Sequence, residues 1–308
     1  MNKSYSIQWE ISSEYEGILL REFLIDQKIS KRTLTSVKFD GGAIFVNDTE
    51  VNVRHLLKVG DIVKINFPPE TRSEQLIAED LPLKIVYEDR DVLIVDKPWG
   101  MNTIPSNDHR TGSLANGIAG YYKQCSLAST VHIVTRLDRD TSGLVLVAKH
   151  RHVHHLFSLQ QQEQGVSRTY EALSEGVMTC EQEVIEKPIG RKDTSIIERE
   201  VRNDGRYAKT AYHVLYQYPQ AAHISLRPET GRTHQIRVHM ASIGHPLLGD
   251  DLYGGSRQLL KRQALHCKTL SFYHPMNNER MKFESPLASD MKGVLDILGA
   301  VEKRDSLC

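Results

Sequence analysis

Residues 136 to 143 read RLDRDTSG, so two carboxylates, Asp138 and Asp140, stand among two arginines, Arg136 and Arg139, within five positions. The apolar run GLVLVA follows at once, so a charged loop abuts a strand with the composition of a core. An aspartate kept ionised while partly removed from water is a usable nucleophile or base. It needs a cation close by, and a guanidinium within about 4–6 Å serves that purpose. Two other segments offer partners: SRTYEAL at 167 to 173, with Tyr170, and RPETGRTHQIRVHMASIGHPLLGDDLYGG at 227 to 255, with Arg237. Taken singly, each residue has an ordinary reading. Asp138 suits a solvated loop or a helix cap, Tyr170 a half-buried sheet position, and Arg237 a surface charge.

The elements around these residues decide whether they can meet. Ile236, Met240 and Ile243 recur at helical spacing, which predicts an anchored helix with Arg237 on its flank, a rigid mount for a guanidinium. Strands are expected near 143–148, 167–174, 209–217 and 221–227, with helices near 113–124 and 151–164. The segment LKIVYEDRDVLIVDKPWG adds two strands around a polar turn. Strands outnumber helices and often follow one another directly, which predicts an α+β domain with a mixed or antiparallel sheet. Upstream, residues 12–69 read as a small unit: apolar Ile18, Leu19, Phe23 and Leu24 at helical spacing, and a helix from Lys31 to about Phe39. The strands AIFV, EVNV and GDIVKINF follow, with Asn47 and Asp48 in a turn. A polar stretch bracketed by prolines, about 70–82, reads as a linker to a catalytic domain spanning 83–300.

Composition narrows the function classes. Lys+Arg and Asp+Glu are both 39, so overall charge gives no support to nucleic-acid binding, and such a role must rest on local patches. The four cysteines, Cys125, Cys180, Cys267 and Cys308, are scattered singly, without zinc-ribbon or disulfide spacing, which suits a reducing cytoplasm. The first residues lack the apolar core of a signal peptide, and no run reaches the roughly 20 apolar residues of a spanning helix, so no membrane partner is expected. There is no P-loop, no G-x-G-x-x-G and no paired metal-ligand spacing. The histidines of HRHVHH, residues 150–155, fall on more than one helix face without acidic or cysteine partners, and are expected to face solvent or RNA. Asp140, Thr141 and Ser142 are expected to shape the charged loop by side-chain to backbone hydrogen bonds, Asp250 and Tyr253 to be structural, and EKRDSLC to be a frayed end.

Taken in order, RLDRDTSG, RTY and TGRTHQIRVHM…GHPLLGD resemble the RluA-type pseudouridine synthases over most of residues 83 to 286, with DKPWGMNTIP at 96–105 and ALHC at 264–267 adding to the likeness. The resemblance implies a pseudouridine synthase fold, a long mixed, mostly antiparallel sheet flanked by helices. It implies Asp138 as the catalytic aspartate, Tyr170 lining the target base and Arg237 as the aspartate's basic partner. Arg136 would help displace the base, and Leu265 and Arg232 would also meet the substrate. Two departures stand out. Thr135 replaces the family's usual histidine before Arg-Leu-Asp, and Arg168 replaces the lysine of Lys-x-Tyr, keeping charge but changing geometry. The N-terminal unit resembles the small RNA-binding domain named after ribosomal protein S-four, on Ser30, Lys31, Arg32, Lys38 and VGDIVKI. Its first helix carries Arg21-Glu22-Phe23 where that domain usually has Arg-Leu-Asp. Lys31 and Arg32 are then expected to touch RNA phosphate.

Isomerising uridine breaks the bond from ribose to ring nitrogen, turns the uracil and joins ribose to ring carbon five. Nothing is oxidised and no outside acceptor is used, so neither cofactor nor metal is expected. A base within folded RNA must first be extruded, at a cost of a few kcal/mol, to which stacking on Tyr170 returns about 1–3 kcal/mol. The expected partner is RNA, ribosomal RNA of the large subunit before tRNA, acted on by a monomer in the cytoplasm. Two rival readings remain at this level: an RNA-binding ribosome-assembly factor with the same fold and no catalysis, and a metal-dependent hydrolase using the histidines.

Overall fold

A computed structural model describes residues 5–71, 73, 75–106 and 108–305. The small N-terminal unit begins earlier than the expected residue 12. Strand β1 (Ser6–Glu10) pairs antiparallel along its whole length with a strand more than fifty residues away, a partner that no local pattern announces. Helix α1 (Leu20–Asp26) buries Leu20, Phe23 and Leu24, with Leu19 at its cap. Helix α2 (Lys31–Phe39) starts where expected because the Ser30 hydroxyl accepts the Thr33 amide. Strand β2 (Ala43–Val46) turns through Asn47 and Asp48, both at positive φ, into β3 (Thr49–Glu50). The expected strand EVNV stops short because the Asn52 side chain accepts the Arg54 amide and turns the chain. With β4 (Ile62–Asn66) the sheet order is β1-β4-β2-β3, and Ile7, Phe23, Leu24, Val37, Val63 and Ile65 form its core.

The stretch expected as a linker is packed rather than free. The Glu79 amide donates to the Asn116 carbonyl, and Gly120 meets the Glu79 backbone so closely that a Cβ there would clash. Residues 72 and 74 of this stretch lie outside the described residues.

The large domain runs through β5 (Ile85–Glu88), β6 (Val92–Lys97), α3 (Leu114–Gln124), β7 (His132–Ile133), β8 (Ser142–Ala148), α4 (Arg151–Gln162) and β9 (Ser167–Glu175). It continues with β10 (Gln182–Glu186), β11 (Ile189–Arg191), β12 (Arg199–Val201), β13 (Lys209–Gln217), β14 (Ala221–Pro228), α5 (Gln235–Ser242), β15 (Leu265–Tyr273), β16 (Arg280–Glu284) and α6 (Ser289–Asp305). Helix α6 carries the domain past the expected end at 300, because Met291 and Val294 are buried against Leu173, Ala221 and Leu248. The expected frayed end is helical as far as Asp305, and residues 306–308, including Cys308, lie outside the described residues.

The class is α+β, with a 10-stranded sheet ordered β10-β13-β14-β9-β15-β8-β6-β5, to which β16 and β7 add at β15 and β8. Every neighbouring pair in that order is antiparallel except β15 with β8. The parallel pair matters because it sets the start of β8 beside the start of β15, with Cys267 opposite Gly143 and, on β15's other side, opposite Tyr170. Gly143 has φ 111°, and a Cβ there would lie 2.3 Å from the Cys267 carbonyl oxygen, so only glycine allows this approach. β8 is buried at all seven positions, which explains its unbroken apolar run. Leu114, Ile118, Val153, Phe157, Ile236 and Met240 bring α3, α4 and α5 into the same core.

The histidines of HRHVHH do not all face solvent or RNA. His150 and His152 are buried where the two domains meet, with Tyr5 stacked on His150 at 3.7 Å and Phe67 stacked on His152 at 5.3 Å. Their positions before and within the first turn of α4 aim both rings at the small domain. Glu70 completes the contact, its carboxylate 2.6 Å from His132 Nε2 and accepting the Arg151 amide at 2.6 Å.

Burial pushes both histidines from the ordinary 6.5 down to about 4. The unfolded chain therefore takes up protons first as pH falls, so stability is full above pH 6.5 and is lost progressively toward pH 4. Urea denaturation at pH 5 should give a stability on the order of 2–4 kcal/mol below that at pH 7.5. His152→Phe, which keeps a ring on Phe67 without a titrating group, should flatten that slope. An equal slope in the variant would remove His152 from this account.

Candidate active site

The charged loop 136–141 lies at the entrance to β8, and its backbone is held from several sides. The Thr103 hydroxyl donates to the Leu137 carbonyl at 2.7 Å and accepts the Leu137 amide at 3.0 Å. Lys97, fully buried on β6, donates to the carbonyls of Pro98, Met101 and Arg139, using all three N–H groups of an ammonium. Burial pushes Lys97 down to about 7, against the upward pull of Asp140 and Asp138. Arg262 donates to the Asp140 carbonyl and is itself gripped by Asp290 at 2.7 Å. The expected side-chain to backbone bonds of Thr141 and Ser142 are replaced by side-chain pairs: Gln263 donates to Thr141, and Ser142 meets His266 Nδ1 at 3.0 Å. Thr135, which stands where the family usually has histidine, helps to fix the start of the loop, its buried hydroxyl accepting the Leu146 amide at 2.9 Å.

Asp138 is half-buried at the lip of a cleft of about 940 Å³. Arg237, in the first turn of α5, reaches it with Nη1 3.4 Å from Oδ2. The other edge of the guanidinium makes two 2.7 Å bonds to Asp250, whose side chain is 0% exposed. Burial alone would lower the Arg237 pKa, but hydrogen bonding and charge from Asp250, then Asp138, outweigh it and hold the group above its ordinary value. Tyr253 lies under the guanidinium, 4.9 Å from ring centre to Cζ.

Of the residues singled out from sequence, Asp138, Tyr170, Arg237, Arg136, Arg232 and Leu265 all line this one cleft. Tyr170 is buried on β9, and burial raises its hydroxyl pKa. Arg168 sits over its ring at 5.8 Å. Leu265 opens β15 and is buried, while Arg136 is exposed at the rim. Arg232 braces the helix entrance by donating to the Tyr207 carbonyl at 2.9 Å. Lys31 and Arg32 do not join this group. Arg32 faces instead a second cavity, about 1390 Å³, between the two domains, which contains none of the residues around Asp138.

The family model for RNA pseudouridylate synthase matches residues 91–242. A Bacillus subtilis protein named as the uncharacterized RNA pseudouridine synthase YjbO is 48% identical over 276 residues, covering 90% of this chain and 98% of its own. Ribosomal large subunit pseudouridine synthase D of Pseudomonas aeruginosa is 38% identical over 271 residues, 83% of this chain and 84% of its own. The chain belongs to the RluA-type RNA pseudouridine synthase family. The solved structure of human RNA pseudouridylate synthase domain containing 1 shares the fold, with a TM-score of 0.56 at 24% identity over 72% of this chain and 97% of that one.

For a synthase of this family the cleft has a fitting charge. Arg136, Arg139, Arg168 and Arg232 line it with Arg237, against the acids Asp138 and Glu229, so a chain of zero net charge carries a locally basic mouth. Among the described residues, the group whose ligand atoms come close enough for a metal is Asp89, Asp91 and His274, outside the cleft. Asp89 already accepts from Tyr87 and Asp91 from Tyr5, each through the phenol.

Sequence reasoning passed over Lys97, Arg262 and His234 and gave Asp250 no part in the site. Lys97 stands in DKPWG, where a lysine ending an otherwise apolar strand was the available signal. Asp250 closes GHPLLGD and was expected only to be structural, since its partner lies thirteen residues away across a loop and nothing local tied it to Arg237. Removing Asp250 leaves a buried guanidinium with only the longer 3.4 Å contact to Asp138. Asp250→Ala is expected to cost about 3–5 kcal/mol in urea denaturation, and a loss below about 1 kcal/mol would mean that solvent reaches Arg237 after all.

Proposed function

We propose that this synthase isomerises uridine in ribosomal RNA of the large subunit, with Asp138 as the catalytic carboxylate. The observation that carries the reading is the 3.4 Å approach of Arg237 to Asp138 at the edge of an open cleft lined by Tyr170 and Leu265. An extruded uridine enters the cleft with its ring against Tyr170 and Leu265, while Arg136 helps displace it from its helix and Arg232 meets a flanking phosphate. Asp138, fixed in direction by Arg237, then faces the nucleotide. The choice of RNA rests on relatives named as ribosomal large subunit pseudouridine synthase D.

The small domain, in this reading, is of the S-four type and holds RNA phosphate through Lys31 and Arg32, raising the local concentration of substrate at the cleft. In this reading the synthase works as a monomer, and in the cytoplasm, where the exposed thiols of Cys125 and Cys180 stay reduced. Among the described residues no helix is long and apolar enough to cross a membrane.

Release of tritium from large-subunit ribosomal RNA labelled at uracil carbon five measures the reaction directly. Wild type should release it and Asp138→Asn should not, with RNA binding retained. Equal release by both would remove Asp138 from the mechanism. A second expectation concerns affinity: replacing Lys31 and Arg32 together with alanine should weaken RNA binding and lower the slope of log affinity against log salt by about 1–2. An unchanged slope would end the clamp reading of the small domain.

A further inference from the structure

His234 occupies the turn that leads into α5, three residues before Arg237, and none of the roles above uses it. Its backbone is left-handed, φ 57° and ψ 19°, a conformation that costs a non-glycine residue about 1–3 kcal/mol and persists only where the surroundings enforce it. The enforcement is visible. The Gln235 side chain accepts the Arg232 amide at 3.0 Å and the Thr230 hydroxyl at 2.8 Å, closing the turn beneath the histidine. The ring is mostly buried yet lines the cleft, 12% exposed, with Nε2 3.9 Å from Oδ2 of Asp138.

The other ring nitrogen identifies the tautomer. His234 Nδ1 lies 2.8 Å from the Tyr253 hydroxyl, and that hydroxyl already accepts the Arg199 amide at 2.9 Å. With the phenol proton given to Nδ1, the ring proton sits on Nε2, facing Asp138; the other tautomer would turn the Nε2 lone pair toward a carboxylate oxygen 3.9 Å away, which electrostatics disfavours. The groups around the ring are Asp138 on the loop, Arg237 on α5, Asp250 and Tyr253 after it, and Arg199 on β12. Burial, followed by the opposing pull of Asp138 and the push of Arg237, leaves the histidine below its ordinary pKa, in keeping with a neutral ring. Tyr253 thus serves two neighbours at once, its face under Arg237 and its hydroxyl on His234.

We propose that His234, set in its Nε2–H tautomer by Tyr253, is a positioning residue for the reaction: it donates to Oδ2 of Asp138 when the nucleotide enters, and with Arg237 fixes the angle at which Oδ1 meets the substrate. The inference rests on Asp138 being the catalytic carboxylate. Two donors converging on one oxygen leave the other free to act, whereas a single guanidinium contact at 3.4 Å lets the carboxylate swing. A second proton on the ring would force the Tyr253 hydroxyl to turn its own proton away and accept from Nδ1, and would turn His234 into a cation that draws Asp138 into an ion pair, away from the nucleotide. Activity should accordingly fall on the acid side as His234 titrates.

Single-turnover tritium release from the labelled ribosomal RNA tests this, with wild type beside His234→Ala, His234→Gln and Tyr253→Phe. His234→Ala should lower the rate about 10- to 100-fold with the half-saturating enzyme concentration changed less than about twofold. His234→Gln, whose amide nitrogen reaches the place of Nε2, should recover most of that rate and lose the acid limb that belongs to the imidazole. Tyr253→Phe frees Nδ1 for protonation and should move the acid limb to higher pH. If wild type is active and His234→Ala matches it, or if alanine and glutamine variants are equally slow with an unshifted acid limb, the inference is overturned while the function stands. If wild type releases tritium and Asp138→Asn does too, the carboxylate assignment falls, and this inference with it.

Discussion

One guanidinium is shared between two carboxylates of opposite character, and the rest of the site is arranged around that sharing. Arg237 is held edge-on by Asp250, which has no exposure at all, and offers its remaining nitrogen to Asp138, which keeps part of its surface toward the cleft. A buried arginine without a partner would be prohibitively unstable, and a partner with access to substrate would be consumed in neutralising it. Dividing the work between two aspartates resolves this. Asp250 compensates the charge permanently, so Asp138 need only be attracted, not locked, and remains free to turn toward a ligand.

A carboxylate that is only attracted must be mounted on something stiff. Here the stiffness comes from backbone carbonyls of the loop that point inward to buried donors: Leu137 to Thr103, Arg139 to Lys97, Asp140 to Arg262. Each donor is anchored in turn, Lys97 at the end of β6 and Arg262 by Asp290. Asp140 and Asp138 in turn pull the Lys97 pKa upward against its burial, so the carboxylates of the loop favour the charged form of the amine that holds it. Loop geometry and loop electrostatics are thus one construction.

Much of this was legible in the residues. Periodicity located α2, α3, α4, α5 and β8 to within a residue or two, and the order of motifs pointed to the six side chains that now surround one cleft. What escaped was non-local. Strand β1 is defined by β4, Asp250 by a guanidinium across a loop, and Lys97 by three carbonyls, one of them 42 residues away. The histidines of α4 misled for the same reason: as polar side chains on a helix they read as solvent-facing, and only the aromatic rings of Tyr5 and Phe67, supplied by the other domain, make their burial comprehensible. Local pattern reports on propensity, while burial of a polar group reports on its partner.

Thr135 shows how a departure from the family pattern can be absorbed. An imidazole at that position could order the loop by hydrogen bonding, and the question is what holds the chain once it is gone. Thr135 is 2% exposed, and its hydroxyl takes the Leu146 amide, while its own amide donates to the Leu146 carbonyl. One residue thereby engages both backbone groups of Leu146 on β8 in a short stretch of sheet-like pairing. A β-branched threonine has a single, already restricted side-chain torsion to fix, so ordering this tether costs little entropy. The next residue, Arg136, points outward and is exposed at the rim of the cleft.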